Sequence, residues 1–576
     1  MLPEVKQIQK AQKRLNASLN ERIPILYEPD RETGKFEYHH YLEYILSKFG
    51  LLDIINDLNS RDPVKVSVTF DGGKISRFLG HVTGGFKLVD PRCIDPKSGE
   101  LLFGEDKVEK VQSHVHCFPI KVAFAKDTKD LYRLEFGDFF TFLKEYEAEK
   151  GFRIKFNFPQ DMSSTWKTTG KGGTAKVKTF PCYCCAVTTA TLVTPQPKAK
   201  CFRGDRCRQP KCYHHEMVTA ASLEAWMVQK LELEAEFPHL ANPSAELKKS
   251  QIFLSSIDEL RDYRNPYDIA FRPTSLSEGR QFDTLLNTEL GYRQMSQHGS
   301  IAEKRTRLKE ALEAEAVYQL MSKLVLATDE GSAFCAVEDA IPCIMHGGNC
   351  MGEKIFMMLL LEAWGLCITN ADRILLVKIV ENFVNTGVFG TEESHSQWKV
   401  PINKENEIEQ ISFTAWRVRK IFARLTTLVP QLQLDGTRLI DWQRMLSKYL
   451  EVIKIAFQHE DFSDEEIEIF QDLVDEWFYL YVELLGLPGV TNYIHLLGAG
   501  HLYQYLKLWG SLYRYQQQGW EMKNGIIASF INRRTRRGGA GGKYGPAHTS
   551  RIIPVMEWFQ RNIAWITGDA ERCFNN

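Results

Sequence analysis

Four runs of β-forming residues, interrupted by one helical stretch, constrain this chain more than any other feature. VKVSVTF (64–70), RFLGHVTGGFKLVD (77–90) and VHCFPIKVAFAKD (115–127) come first, each rich in branched and aromatic residues. Phe136, Phe139, Phe140, Leu143 and Tyr146 then recur at helical spacing in EFGDFFTFLKEYEAEKG (135–151), and FRIKFNF (152–158) follows. The order strand, strand, strand, helix, strand predicts a sheet that a single crossover helix covers. An aspartate stands just after the first run (Asp71) and another just after the last (Asp161).

Each aspartate has an ordinary reading. Asp71 precedes two glycines and fits a turn, and Asp161 fits the N-cap of MSSTWK. Together they gain a chemical reading, because carboxylates on the ends of neighbouring strands are rigid mounts for divalent ions. The order resembles the ribonuclease H-like core, in which the first and fourth strands carry two such aspartates. Paired divalent ions activate a water or 3′-hydroxyl and stabilise the leaving oxygen of a phosphodiester. Mg²⁺, or Mn²⁺ in its place, suits carboxylate and phosphate oxygens. A third acid is then expected on a helix against the sheet. In LYRYQQQGWEMKNGIIASFINRRT (512–535), Trp520, Ile526, Ile527, Phe530 and Ile531 form an apolar face, while Glu521, Asn524 and Ala528 share a less bulky one. Glu521 is therefore the expected third ligand, with Glu353 in reserve.

Six of the 13 cysteines fall between Cys182 and Cys212, and His214 and His215 close the cluster. A secreted disulfide scaffold would spread its cysteines through a short chain, so this local cluster reads as structural zinc. CYCC (182–185) gives a CxxC pair in Cys182 and Cys185, and CFRGDRCRQPKCYHH (201–215) supplies the rest. Cys182, Cys185, Cys212 and His215 make one sensible set. Cys201, Cys207, Cys212 and His215, spaced C-x5-C-x4-C-x2-H, make the alternative. His346, His495 and His501 read as ordinary packed or surface histidines.

At 576 residues and 44% hydrophobic content the chain has ample material for real cores. Its opening MLPEVKQIQKAQKRLN is polar and helical, unlike a secretion signal, and IFMMLLLEAWGLC (355–367) is too short to span a bilayer. An intracellular protein with no membrane partner is expected. The formal net charge of −1 advertises no global attraction to nucleic acid, so binding must come from local patches. Two Lys/Arg–Gly tracts offer them: Lys167, Lys171, Lys176 and Lys178 after Asp161, and Arg533, Arg534, Arg536, Arg537 and Lys543 after Glu521. Arg203, Arg206, Arg208 and Lys211 add positive charge to the cysteine segment.

QDMSSTWKTTGKGGTAKVKTFPCYCC (160–185), IPCIMH (341–346), EKI (353–355) and QQGWE (517–521) carry a resemblance. They are similar to segments of eukaryotic cut-and-paste DNA transposases of the DDE type, closest in layout to the hAT and Transib-like groups and to proteins derived from such transposons. The resemblance spans most of residues 61–565 in layout. It implies an α/β ribonuclease H-like core with a cysteine-rich zinc insertion and a large all-α insertion. It gives Asp71, Asp161 and Glu521 the roles of a catalytic, magnesium-binding triad, with DNA as partner and the nucleus as location. HGGN (346–349) departs from an acidic residue in relatives, and no separate N-terminal DNA-binding domain is evident, which fits a shortened or domesticated descendant.

The expected organisation is a helical region over 1–60, the first part of the core over 61–180 and a zinc-binding segment over 181–216. An all-α insertion over 217–490 and C-terminal helices over 491–576, completing the core, follow. Amphipathic stretches such as 303–326 and 464–487 read as core, with a homodimer surface as the alternative. The expected function is that of a DNA transposase or domesticated derivative. A metal-dependent nuclease of the same fold is the first alternative, and an inactive zinc-containing DNA- or protein-binding descendant the second.

Overall fold

Val64, Val66, Val68 and Phe70 are buried on one face of β3 (Val64–Lys74), while Ser67 and Thr69 are buried on the other. A strand covered on both sides belongs in the middle of a sheet, and β3 lies between β4 (Gly80–Leu88) and β6 (Ile154–Asn157). Its partner β4 is antiparallel and β6 parallel. On the far side of β4 runs β5 (Cys117–Ala123), then β2 (Thr33–Phe36) and β1 (Ile25–Glu28), giving the order β1-β2-β5-β4-β3-β6. The structure, a computed structural model, describes residues 5–28, 33–74, 80–125, 128–161, 165, 169, 182–185, 195, 201–208, 211–242, 270, 280–327, 335–387, 398–413, 415–534 and 549–570.

Two sequence expectations change here. Asp71 lies within β3, not after it: Asp71 pairs with Thr83, and the ladder continues through Lys74 and Gly80. Asp-Gly-Gly is a turn signal in isolation, but pairing with a neighbouring strand overrides it. The first sixty residues are not simply helical either. Between α1 (Val5–Arg22) and α2 (Tyr38–Lys48) the chain forms β1 and β2, and β2 extends the sheet along β5; α3 (Leu51–Asn56) follows. Gly34 marks how closely β2 is covered, since a Cβ there would fall on Ile552 and Met556 of a C-terminal helix.

The crossover helix α4 (Lys129–Glu149) starts at Thr128, whose side chain accepts from the Leu131 N–H. Phe136, Phe139 and Phe140 pack around Phe70 with ring centroids 5.0–6.0 Å apart. Burying one such aromatic is worth about 1.5–3 kcal/mol, so this face anchors the crossover firmly. The other face of β3, the one that carries Asp71 by two-residue alternation, is left to later parts of the chain.

Those parts are helical. α5 (Ala220–Glu236), α6 (Arg280–Tyr292) and α7 (Ile301–Ala327) come first. They bury small cores of their own, such as Leu286, Leu290, Leu308 and Leu312. The helices α8 (Ile344–Leu366), α9 (Asn370–Gly387), α10 (Ala415–Leu428), α11 (Gly436–Ala456) and α12 (Asp464–Gly489) instead share one continuous core with the sheet. After α13 (Asn492–Gly498) and α14 (His501–Trp509), α15 (Gln518–Arg534) packs on β3 and β5, and α16 (Thr549–Ile566) on β1, β2 and β5. The molecule is thus a mixed α/β protein, mostly helical, around a six-stranded sheet. Among the described residues, no helix is long and apolar enough to cross a membrane.

Candidate acid pocket and metal centres

The parallel register of β3 and β6 starts the two aspartate-bearing segments side by side. Ser67 pairs with Asn157, and its hydroxyl donates to Asn157 Oδ1 at 2.7 Å. Asp71 and Asp161 each lie four residues further along. Beyond β6 the chain stays extended and bonds to a later segment: Phe158 N–H to Asp339 O (2.8 Å), Gln160 N–H to Ile341 O (3.2 Å) and Cys343 N–H to Gln160 O (3.2 Å). The Asp161 carbonyl accepts from the Thr165 N–H at 2.9 Å.

The segment beside Gln160 leads straight into α8, which puts His346 in that helix's first turn. Helix α15 comes from the other direction. Trp520 is fully buried and lies on β4 at Gly85, where a Cβ would come within 2.7 Å of its ring. Gly519 is held just as tightly against the carbonyls of Gln112 and Ser113. Buried Lys87 donates to the carbonyls of Arg514 (2.9 Å) and Gln516 (2.7 Å), fixing the approach to the helix. With Trp520 seated, Glu521 receives His346 Nε2 at 2.7 Å, and Asn524 Nδ2 donates to Asp71 Oδ2 at 2.6 Å. The Gln517 N–H contacts Cys343 Sγ at 3.4 Å. IPCIMH and QQGWE therefore meet beside Asp71.

Both other acids act electrostatically on Asp71. Burial first, opposed by the Asn524 hydrogen bond and aided by the charges of Asp161 and Glu521, lifts the Asp71 carboxyl to about 7; His346 works the other way. Burial disfavours the His346 cation, but Cys343 and Glu521 outweigh it and raise its pKa to about 12. Both partners thus favour the protonated imidazole at His346, which faces Glu521. Glu353, the reserve candidate, is used elsewhere: two turns along α8 it accepts the Phe413 N–H at 2.5 Å and the Ser412 hydroxyl at 3.5 Å, holding the loop before α10.

The cysteines form two sets, each with ligand atoms all within 4.8 Å of one another and every residue buried. Cys182 and Cys185 join His495 and His501, with Cys185 Sγ 3.4 Å from His495 Nε2. The Cys184 N–H also points at Cys182 Sγ, at 3.3 Å. Cys201, Cys207 and Cys212 join His214. Both sets have the number and softness of donors that tetrahedral Zn²⁺ takes. Among the described residues the three acids do not form such a set; Glu521 contacts His346 and Asp71 contacts Asn524.

Both sequence-derived zinc sets need correction. His215 is in neither set, although its ring lies 5.4 Å from that of His495. Cys212 sits with Cys201 and Cys207, not with Cys182 and Cys185. His495 and His501, read as ordinary packed residues, complete the first set instead. Their signal is HLLGAGH (495–501), in which Gly500 (φ 79°) breaks the helix so that His501 starts a new one beside His495. The charges of the cysteine segment are largely consumed internally. Arg203 reaches Glu468, Asp472 and Asp475 at 2.8–3.0 Å, Arg206 reaches Glu468 and Lys211 reaches Glu483, each at 2.8 Å.

Of the proposed DNA-contacting residues, Arg533 and Arg534 end α15. Lys167, Lys171, Lys176, Lys178, Arg536, Arg537 and Lys543 lie outside the described residues. No protein-family model matches this chain, and no curated protein matches it.

Proposed function

We propose that this chain is a DNA transposase, or a domesticated derivative of one, acting in the nucleus on a ribonuclease H-like core with Asp71, Asp161 and Glu521 as its catalytic acids. The observation that carries the reading is the meeting of Asp71, Asp161 and Glu521 from three distant parts of the chain, reported by Asn524 donating to Asp71 and by the lift both other acids give its carboxyl. The sheet supports it: β5, β4 and β3 are antiparallel, β6 is parallel to β3 and follows a crossover helix, and Gln160 bridges to Pro342 in parallel.

The donor set fits a divalent ion. A carboxyl that burial first, and then the charges of two other acids, push toward keeping its proton is one where a cation can replace that proton. Asp71, Asp161 and Glu521 would hold Mg²⁺ or Mn²⁺, which supplies Lewis acidity and lowers the pKa of a bound water. The chain's own groups do the rest. Asn524 fixes the rotamer of Asp71 and leaves its other oxygen for a ligand. Buried Trp520 keeps Glu521 at the sheet edge, and the His346 cation faces the same pocket, where it favours an incoming phosphate. The Cys/His sets act as structural zinc sites, tying the late helices to the cysteine segment.

One observation favours the inactive, zinc-containing descendant: Glu521 is engaged by His346 at 2.7 Å. Nicking and end joining of supercoiled DNA with Mg²⁺ or Mn²⁺ decide between the readings. Asp71→Asn, Asp161→Asn and Glu521→Gln should each lower nicking by roughly 10⁴-fold or more, the scale of losing an essential catalytic group. Nicking without joining would make the protein a nuclease. Wild-type protein that does neither would leave the inactive descendant.

A further inference from the structure

The second Cys/His set is built almost wholly from one short loop. Cys201 Sγ lies 3.2 Å from His214 Nδ1, and only thirteen residues separate the two in sequence. The loop closes on itself through backbone bonds, Gly204 N–H to Cys201 O at 2.9 Å and Cys207 N–H to Gly204 O at 3.2 Å, with Gly204 in the left-handed region at φ 54°. Ordinary core packing does not account for these cysteines. Cys201, Cys207 and Cys212 form a buried cluster by themselves, separate from the aliphatic and aromatic core. A disulfide would use two of the three and leave the third thiol over.

The second ring nitrogen of His214 settles the chemistry further. Nε2 faces Asp475 Oδ1 of α12 at 2.7 Å, and both atoms are buried. Asp475 is itself fixed, by Gln471 Nε2 on Oδ1 at 2.6 Å and by Arg203 Nη1 on Oδ2 at 2.9 Å. A carboxylate that holds one imidazole nitrogen and leaves the other for a metal is the usual outer shell of a histidine ligand. The first set is assembled differently: Cys185 and His495 are 310 residues apart in sequence and meet only in the folded core.

We infer that the protein holds two independent Zn²⁺ ions, and that the one on Cys201, Cys207, Cys212 and His214 is a local latch that docks this loop onto α12 through Asp475. The inference rests on the zinc reading of the Cys/His sets and adds the second ion, its outer carboxylate and its separate release. The latch ion leaves when the loop lifts from α12. The core ion, on Cys182, Cys185, His495 and His501, leaves only when the fold opens.

Full-length protein purified without chelators should contain two zinc ions per chain, and Cys207→Ser one. Against a chromophoric chelator the wild type should release its zinc in two phases, the slow one in step with loss of far-UV circular dichroism. Asp475→Asn, which leaves all four ligands in place, should weaken the fast-releasing ion about 10–100-fold and leave the slow one unchanged. It also keeps the test open if Cys207→Ser does not fold. Unchanged affinity in Asp475→Asn, one zinc in both wild type and Cys207→Ser, or release of both ions in a single phase would each overturn the inference. Protein with no zinc at all would overturn the zinc reading beneath it as well, so the two failures are distinguishable.

Discussion

Asp71 sits on the covered face of a central strand with two other acids in its field, and its carboxyl stays protonated up to about pH 7. In the unfolded chain the same group ionises near 3.8. Between those values the native state binds the extra proton, so stability falls as pH rises through this window and levels off above it. The cost above pH 7 is roughly 4 kcal/mol at most. Asp71→Asn keeps the contact with Asn524 and removes that cost. In buffer without added divalent ions the variant should therefore unfold at higher denaturant than wild type above pH 7, the gap closing toward pH 4. Equal midpoints across that range would mean that folding does not raise the Asp71 carboxyl. His346 was harder to foresee: a lone histidine near a helix start reads as packing, and only its meeting with Glu521 gives it a role.

Helix α15 presents Glu521 and Asn524 one turn apart, and Trp520 beside them packs against Gly85 of β4. A methyl group on Gly85 would approach Trp520 at 2.7 Å and Pro119 Cα at 2.8 Å, so the helix must move or the strand must bend. Gly85→Ala is expected to cost about 1–3 kcal/mol, the range for overpacking a tight contact, and to lower nicking with it. Gly104→Ala, where a Cβ meets nothing within 4 Å, is the control and should stay within about 0.5 kcal/mol. Urea midpoints and nicking rates measure both; equal costs in the two variants would remove Gly85 from its positioning role. This helix was legible beforehand because Glu521 and Asn524 share a face at helical spacing. The edge strands β1 and β2 were not: each has four residues, and β2 is fixed by pairing with β5, a partner that no local window contains. The acidic end of β3 was half legible, since its position was right but the strand runs on through two glycines.

Across the molecule, the chain passes through the sheet, leaves for the long helical region and returns with Glu521 and with His495 and His501 of the first Cys/His set. That return explains what the sequence could and could not convey. The cysteine cluster announced metal through its density, whereas the partners of Cys182 and Cys185 lie at His495 and His501, where no ligand spacing links them. Asp71 and Asp161 were read from the ends of two strand-like runs that do pair in parallel, although Asp161 lies four residues past β6, and Glu521 from a helix with one clear face late in the chain. The central claim is that these three acids form a divalent-cation site distinct from the zinc sites. Its most direct test is a Mn²⁺ titration of the zinc-loaded protein followed by electron paramagnetic resonance of the free ion. Wild type should take up Mn²⁺, while Asp71→Asn, Asp161→Asn and Glu521→Gln should each lose that uptake with zinc content unchanged. Wild-type protein that binds no Mn²⁺, or variants that bind it as wild type does, would contradict the claim.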